Sequence, residues 1–457
     1  MDEKNSSPMA RFNVWQTLRL SSFQIGSAMG DIITTSVWNR IMISELGIPA
    51  WPVGLLIALR YLLSPISLWA GHRSDTQTLW GWHRTSYIWL GRGLMVLSFP
   101  MLGVSLGRLG TDQGDVVGWL VALFCFLLYG LGTLISGSPF LALVRDTAPK
   151  SKQGLAISIV ETVLIIMFPV VAIGFGRWMQ TYDERVFWEM ILVTMGVAGF
   201  FWFFAVVRQE KRARAGGVPR PGADAPVIPV RAVFSRIWND PRTRLFFVFL
   251  SLATFSAWMQ DNVLEPFGGD VFKLDVGQTT RFTGYWGAFT VITLLGSFFI
   301  WRKRPPESLS GIARIGLTVM SVGMLFLALS GLAAQERLIM LGLVVFGAGF
   351  GLYTFGGLSL MAVMSPDPDA GAYLGLWTIS ILIFKGLGTF MGGALRDIFL
   401  LGLGMSEVWA YAGVFFVSMA GLFAAAVLLR SLDVLSFARD TGRVATPGEL
   451  QLSTVDL

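Results

Sequence analysis

The chain has 457 residues, of which 54% are hydrophobic and only 14% charged. A soluble globular chain carries about 25% charged residues, so this deficit excludes a water-soluble fold and points to lipid. The net charge of +6 reflects which way loops face and gives no sign of nucleic-acid binding, and the single cysteine, Cys125, excludes an internal disulfide and a multi-cysteine metal site.

A spanning helix needs roughly 20 mostly apolar residues, because only a helix satisfies its own backbone in lipid. In chain order, residues 1–17 are polar and lack the apolar core of a cleavable leader, so none is expected. Twelve apolar segments follow, at 18–46, 50–70, 86–107, 117–144, 155–176, 188–207, 245–265, 281–301, 312–333, 338–364, 372–395 and 408–429. With both termini cytoplasmic, the inner loops collect most of the Lys and Arg, as the positive-inside rule requires. The fold class expected is an all-α membrane protein with twelve transmembrane helices in two six-helix pseudo-repeats.

The expected organisation is an N-terminal six-helix lobe over 1–207, a basic cytoplasmic linker over 208–244, a C-terminal lobe over 245–429 and a loosely ordered cytoplasmic tail over 430–457. The linker is rich in Arg, Pro and Gly, a composition suited to a flexible segment lying on anionic lipid. Ordered matches support the repeat. Leu20, Ser21, Met29, Asp31 and Gly47 correspond to Leu250, Ser251, Met259, Asp261 and Gly277 at one offset. Gly130, Gly132, Pro149, Gly154 and Gly176 correspond to Gly347, Gly349, Pro366, Gly371 and Gly393 at a second.

The first and seventh segments carry polar stripes at helical spacing. In the first these are Gln24, Ser27, Asp31, Thr34 and Trp38; in the seventh, Ser251, Thr254, Trp258, Asp261 and Glu265. Each stripe is expected to face a central cleft, the alternative being hydrogen bonding within a lobe. Arg60, Arg92, Glu161 and Lys385 are further intramembrane charges. Such charges need partners. Arg60 is expected to pair with Asp31, Lys385 with Glu161 or Asp261, and Arg92 to snorkel. In the loop between the second and third segments, Gly71 and Asp75 have Gly-x-x-x-Asp spacing. Arg145, at the end of the fourth segment, is the expected donor to Asp75.

These residues resemble the major facilitator superfamily and, within it, the bacteriochlorophyll-delivery branch of PucC/LhaA-type antenna assembly proteins. The resemblance rests on Asn39-Arg40, Glu45-Leu46-Gly47, Pro49-Ala50-Trp51, Ser64-Pro65, Gly71-His72-Arg73-Ser74-Asp75, Gly81-Trp82, Tyr87-Ile88-Trp89 and the Arg145-Asp146 to Gly154 stretch. Its general part covers nearly the whole chain, and its branch-specific part roughly residues 20–95 and 145–154. Thr76 follows Asp75 where the superfamily loop has a basic residue, and Trp82 and His83 separate Gly81 from Arg84. Gly71, Asp75 and Arg145 are the gate positions carried over.

The resemblance implies a light-harvesting complex assembly factor that handles or delivers bacteriochlorophyll. Membrane lipid, antenna polypeptides and pigment-synthesis or membrane-insertion machinery would be its partners. Its place would be the bacterial inner, photosynthetic or intracytoplasmic membrane. The alternative is a proton-coupled facilitator-type transporter of a small solute, with Asp31, Glu161 and Asp261 as candidate titrating groups. No tightly bound cofactor and no metal are expected, only transient bacteriochlorophyll. Imidazole is a frequent ligand for such metallated rings, yet both histidines, His72 and His83, lie in one loop and none lies in a span. The candidate pigment contacts are therefore Asn39, Gln260, Asn262, His72 and His83. No phosphate loop, nucleophile elbow or metal cluster is found in the sequence, so no enzyme is expected.

Overall fold

The computed structural model describes residues 12–210, 235, 238–301, 303–365 and 370–440. The core of the expected linker and the tail beyond Asp440 lie outside the described residues. Ten helices among the described residues are long and apolar enough to cross a membrane. They correspond to ten of the twelve expected segments.

The remaining two, the first and the seventh, are interrupted. The first is built from Val14–Ser21 and Phe23–Ile32, followed by π-helical turns over Ile33–Trp38 and Ile41–Glu45. Gly26, Gly30 and the β-branched run from Ile32 to Thr35 are weak helix formers. The seventh runs as a helix over Pro241–Trp258, breaks into turns, and resumes over Leu264–Phe272. Lys273, at φ 57°, ends it in the left-handed region. Widened or broken turns free backbone groups and concentrate at functional sites. Here both fall on the repeat-equivalent segments that carry the polar stripes.

The chain forms two compact units. One comprises Met1–Ile48, Leu63–Ala225 and Asp275–Arg281; the other comprises Pro49–Leu62, Pro226–Leu274 and Phe282–Leu457. In the first unit, helices Thr85–Thr111 and Val116–Thr147 cross closely, with Gly91 against the Gly132 carbonyl and Gly132 against the Gly91 carbonyl. Phe23 stacks on Phe140 at 3.7 Å between ring centroids, and Trp202 and Phe99 close the core around them. In the second unit, helix Ala50–Leu62 packs on Ala370–Asp397, and Ser310–Leu332 on Glu336–Val363. Its core gathers Phe246, Phe249, Trp377, Phe267 and Phe415.

The described part of the tail is docked, contrary to the loose order expected of it. Helix Val434–Asp440 buries Phe437, and Asp440 accepts from Arg242 at 2.6 Å.

Gly132→Leu should destabilise the chain by about 1–3 kcal/mol, because the added atoms must push two backbones apart. Thermal melting of the detergent-solubilised protein reads this directly. Acid sensitivity offers a second check. Asp115 caps helix Val116–Thr147, and the hydrogen bond from Arg108 holds its carboxyl below the usual range. A depressed folded-state pKa contributes stability that is full above the unfolded value, near 3.9, and is lost as pH falls through the folded one. Melting temperature should therefore drop on acidification below about pH 4, and Asp115→Asn should reduce that drop.

Candidate functional site

Two neighbourhoods hold the polar side chains singled out above. The first runs from Gly71 to Thr85: Gly71 and Asp75, expected in a loop, lie in the last turns of helix Pro65–Thr76, and a short turn then leads to helix Thr85–Thr111. Gly71 lies against Ser138, where a Cβ would sit 2.6 Å from the hydroxyl oxygen. Leu79 and Trp82 exchange backbone hydrogen bonds across Trp80 and Gly81, both at positive φ, which makes a two-residue hairpin turn. That turn delivers Arg84 back beside Asp75. Arg84, buried, pairs with Asp75, donates to Ser74 Oγ at 2.9 Å and lies 3.6 Å from Asp146.

The expected donor, Arg145, does not take this role. Its side chain is 53% exposed and approaches Asp146 at 4.0 Å. The reason is direction: Arg145 sits on the outward side of its helix end, whereas the hairpin turn brings Arg84 inward. Glu210 completes the cluster by accepting from the backbone N–H groups of His83, Arg84 and Thr85 at 2.9–3.2 Å. It caps helix Thr85–Thr111, whose own N-cap side chain makes no such bond. Asp146 sat within the resemblance, but the roles of Arg84 and Glu210 have no local spacing signal. Of the two histidines, His72 is exposed, and His83 is half-buried with an Nδ1 that has no hydrogen-bond partner.

In the same unit, Asp31 accepts from the Tyr129 hydroxyl at 2.7 Å. Gln24, Trp38 and Asn39 are buried, Trp38 against Phe126 at 4.9 Å. Arg40 pairs with Glu45 at 3.1 Å. Arg92 does not snorkel: it is buried, with its guanidinium 4.4 Å from the Phe23 ring and 4.8 Å from that of Trp202. Glu161 is half-buried on helix Gln153–Trp178.

The second neighbourhood belongs to the other unit. Arg60 lies 4.4 Å from the Tyr61 ring and donates to its hydroxyl. Arg60 and Asp31 thus fall in different units, each with a hydroxyl partner in its own. Lys385 is met by rings: its Nζ lies 3.3 Å from the Trp258 centroid and 4.6 Å from that of Tyr61. Asp261, one of the two carboxylates expected for it, instead accepts from Thr389 at 3.2 Å, one helical turn further on. The other, Glu161, belongs to the first unit. Glu265 accepts from Thr283. Gln260 and Asn262 are buried, and Asn262 donates to the Ala50 carbonyl at 3.0 Å. A macrocycle cannot reach Asn39, Gln260 or Asn262 without repacking.

Sequence reasoning missed a buried network in this unit. Arg396 donates to Asp397 at 2.8 Å and to Asp270 at 3.0 Å, and Tyr411 also donates to Asp270. Asp397 in turn accepts from the Trp51 N–H at 2.7 Å, tying down the start of helix Ala50–Leu62. The adjacent Arg-Asp pair at 396–397 was the available signal.

The family model described as PUCC protein matches residues 37–437. The chain belongs to the PUCC family. Protein PucC of Rhodovulum sulfidophilum is 30% identical over 396 residues, which cover 83% of this chain and 84% of that protein. The bacteriochlorophyll synthase 44.5 kDa chain of Rhodobacter capsulatus is 28% identical over 454 residues, 96% of this chain and 98% of that one. Among solved structures, the nucleoside transporter NupG superposes with a TM-score of 0.65 at 13% identity, covering 92% of this chain and all of that one. That likeness shows the fold. This PUCC-family chain is an all-α, multi-pass bacterial membrane protein with the major facilitator fold.

Arg84→Gln should cost about 1–3 kcal/mol, because it strips charge-assisted bonds from a buried cluster. Arg145→Gln should cost less than about 0.5 kcal/mol, as an exposed substitution does. Paired melts of the two purified variants compare them. Equal losses would remove Arg84 from the centre of the loop cluster.

Proposed function

We propose that this chain is a light-harvesting complex assembly factor that handles bacteriochlorophyll and hands it to antenna polypeptides. The observation that carries this reading is the PUCC match over residues 37–437. A relative named as a bacteriochlorophyll synthase chain, aligned over nearly its whole length, supports the pigment. In this reading the chain carries out no catalysis and sits in the inner or intracytoplasmic photosynthetic membrane with both termini cytoplasmic. The excess of Lys and Arg in the loops assigned to that side supports the orientation. Antenna polypeptides and pigment-synthesis or membrane-insertion machinery are its partners. Large apolar side chains at helix surfaces, among them Phe200, Phe203, Phe299 and Leu358, offer lipid or a partner helix a contact face.

The pigment is cargo. His72 lies in the last turns of the spanning helix Ala50–Thr76, where a loop was expected, and His83 in the turn after it, so neither imidazole would hold the magnesium deep in the membrane. Weak retention suits a protein that must release what it carries. Likeness to solute transporters supports the shared fold and does not extend to their substrates.

Gentle purification of the tagged chain from a phototrophic bacterium, followed by absorption spectroscopy and identification of co-purifying proteins, tests the proposal. Bacteriochlorophyll absorbance together with antenna or pigment-synthesis partners is expected. A colourless protein without such partners would overturn it. The same preparation of the His72→Ala, His83→Ala double variant should keep its pigment; loss of colour would make the loop imidazoles ligands.

A further inference from the structure

Lys385 stands out by the chemistry of its surroundings. Its ammonium group lies over the Trp258 ring at 3.3 Å and beside Tyr61 at 4.6 Å, with no carboxylate within 4.0 Å among the described residues. A ring face attracts a cation but accepts little from its three N–H donors. The acids of the neighbouring segment are engaged elsewhere, Asp261 with Thr389 and Glu265 with Thr283. Trp286, edge-on to Trp258 at 6.3 Å, adds a buried indole N–H that has no acceptor. Phe350 packs against both indoles at 5.8 and 5.7 Å. This aromatic cluster is supplied with donors and positive charge and is short of acceptors. Lys385 and Trp258 are each half-buried, so part of each side chain stays uncovered.

A cation held at membrane depth without an anion is costly and marks a binding function. We propose that Lys385 anchors the carboxylate of a flat aromatic cargo whose ring packs on Trp258. The inference rests on the pigment-handling reading and narrows it. The ligand of this site is the unesterified precursor of that pigment, a tetrapyrrole that keeps a free carboxylate, as opposed to the ester in which that group is neutral and carries a tail. The free acid offers a full negative charge to Lys385; the ester offers only a carbonyl. Apolar contact with the ring is the same for both.

The test uses the purified full-length chain in detergent, titrated with pheophorbide a and with its methyl ester, and read by quenching of tryptophan fluorescence. The wild-type chain should bind the acid at least about tenfold more tightly than the ester, the difference expected for a hydrogen bond to a charged group. Lys385→Met should abolish that preference while ester binding stays within about twofold, which also reports an intact fold; Lys385→Arg should keep the preference. Equal wild-type affinities for acid and ester, or a preference that survives in Lys385→Met, would overturn the site while leaving pigment handling in place. Failure of the wild-type chain to bind either compound would overturn both. The wild-type comparison decides the matter even where a variant does not fold.

Discussion

A guanidinium or ammonium group carried in among apolar helices loses its water, and the loss costs several kcal/mol unless something in the protein replaces it. Much of the polar architecture described here answers that demand. Arg84 is met by Asp75, Ser74 and Asp146. Arg396 is met by Asp270 and Asp397. Arg92 and Lys385 are met chiefly by ring faces. Carboxylate pairing locks a cation to one geometry. A ring face engages fewer of a cation's N–H donors.

The two interrupted segments follow a related logic. A regular helix in lipid satisfies its backbone internally and has nothing left to offer. Turns over Met259–Val263 and π-helical turns over Ile33–Trp38 loosen that closure where the polar stripes lie. In the seventh segment the freed geometry lets Asn262 reach the Ala50 carbonyl and lets Trp258 lie under Lys385. In the first, Asp31 meets Tyr129 from the regular helix just before the π-helical turns. The stripes were legible as a period of three to four residues, but the breaks within them were not. They depend on packing that overrides a weak helix preference.

Partner choice shows the same division. Spacing along one helix picks out which residues share a face, so Asp31, Trp258, Asp261 and Lys385 were recognisable as intramembrane polar groups. It does not say which face of another helix arrives opposite. Lys385 therefore drew an expected carboxylate and received an indole. Asp75 drew Arg145 and received Arg84, because a two-residue turn at Trp80-Gly81 reverses the chain. Glu210 caps a helix more than a hundred residues earlier, a contact no local pattern could announce.

The sequence by itself determined the solvent, the helical class and the family. Each of these is written in composition, in apolar run length or in residues close together along the chain. The tertiary structure alone decided which charges are paired and which rest on aromatic rings, where the repeat-equivalent segments break, and that Lys385 keeps donors to spare. Those outcomes depend on the directions of side chains brought together from distant segments, and direction in space is not encoded by spacing along one helix.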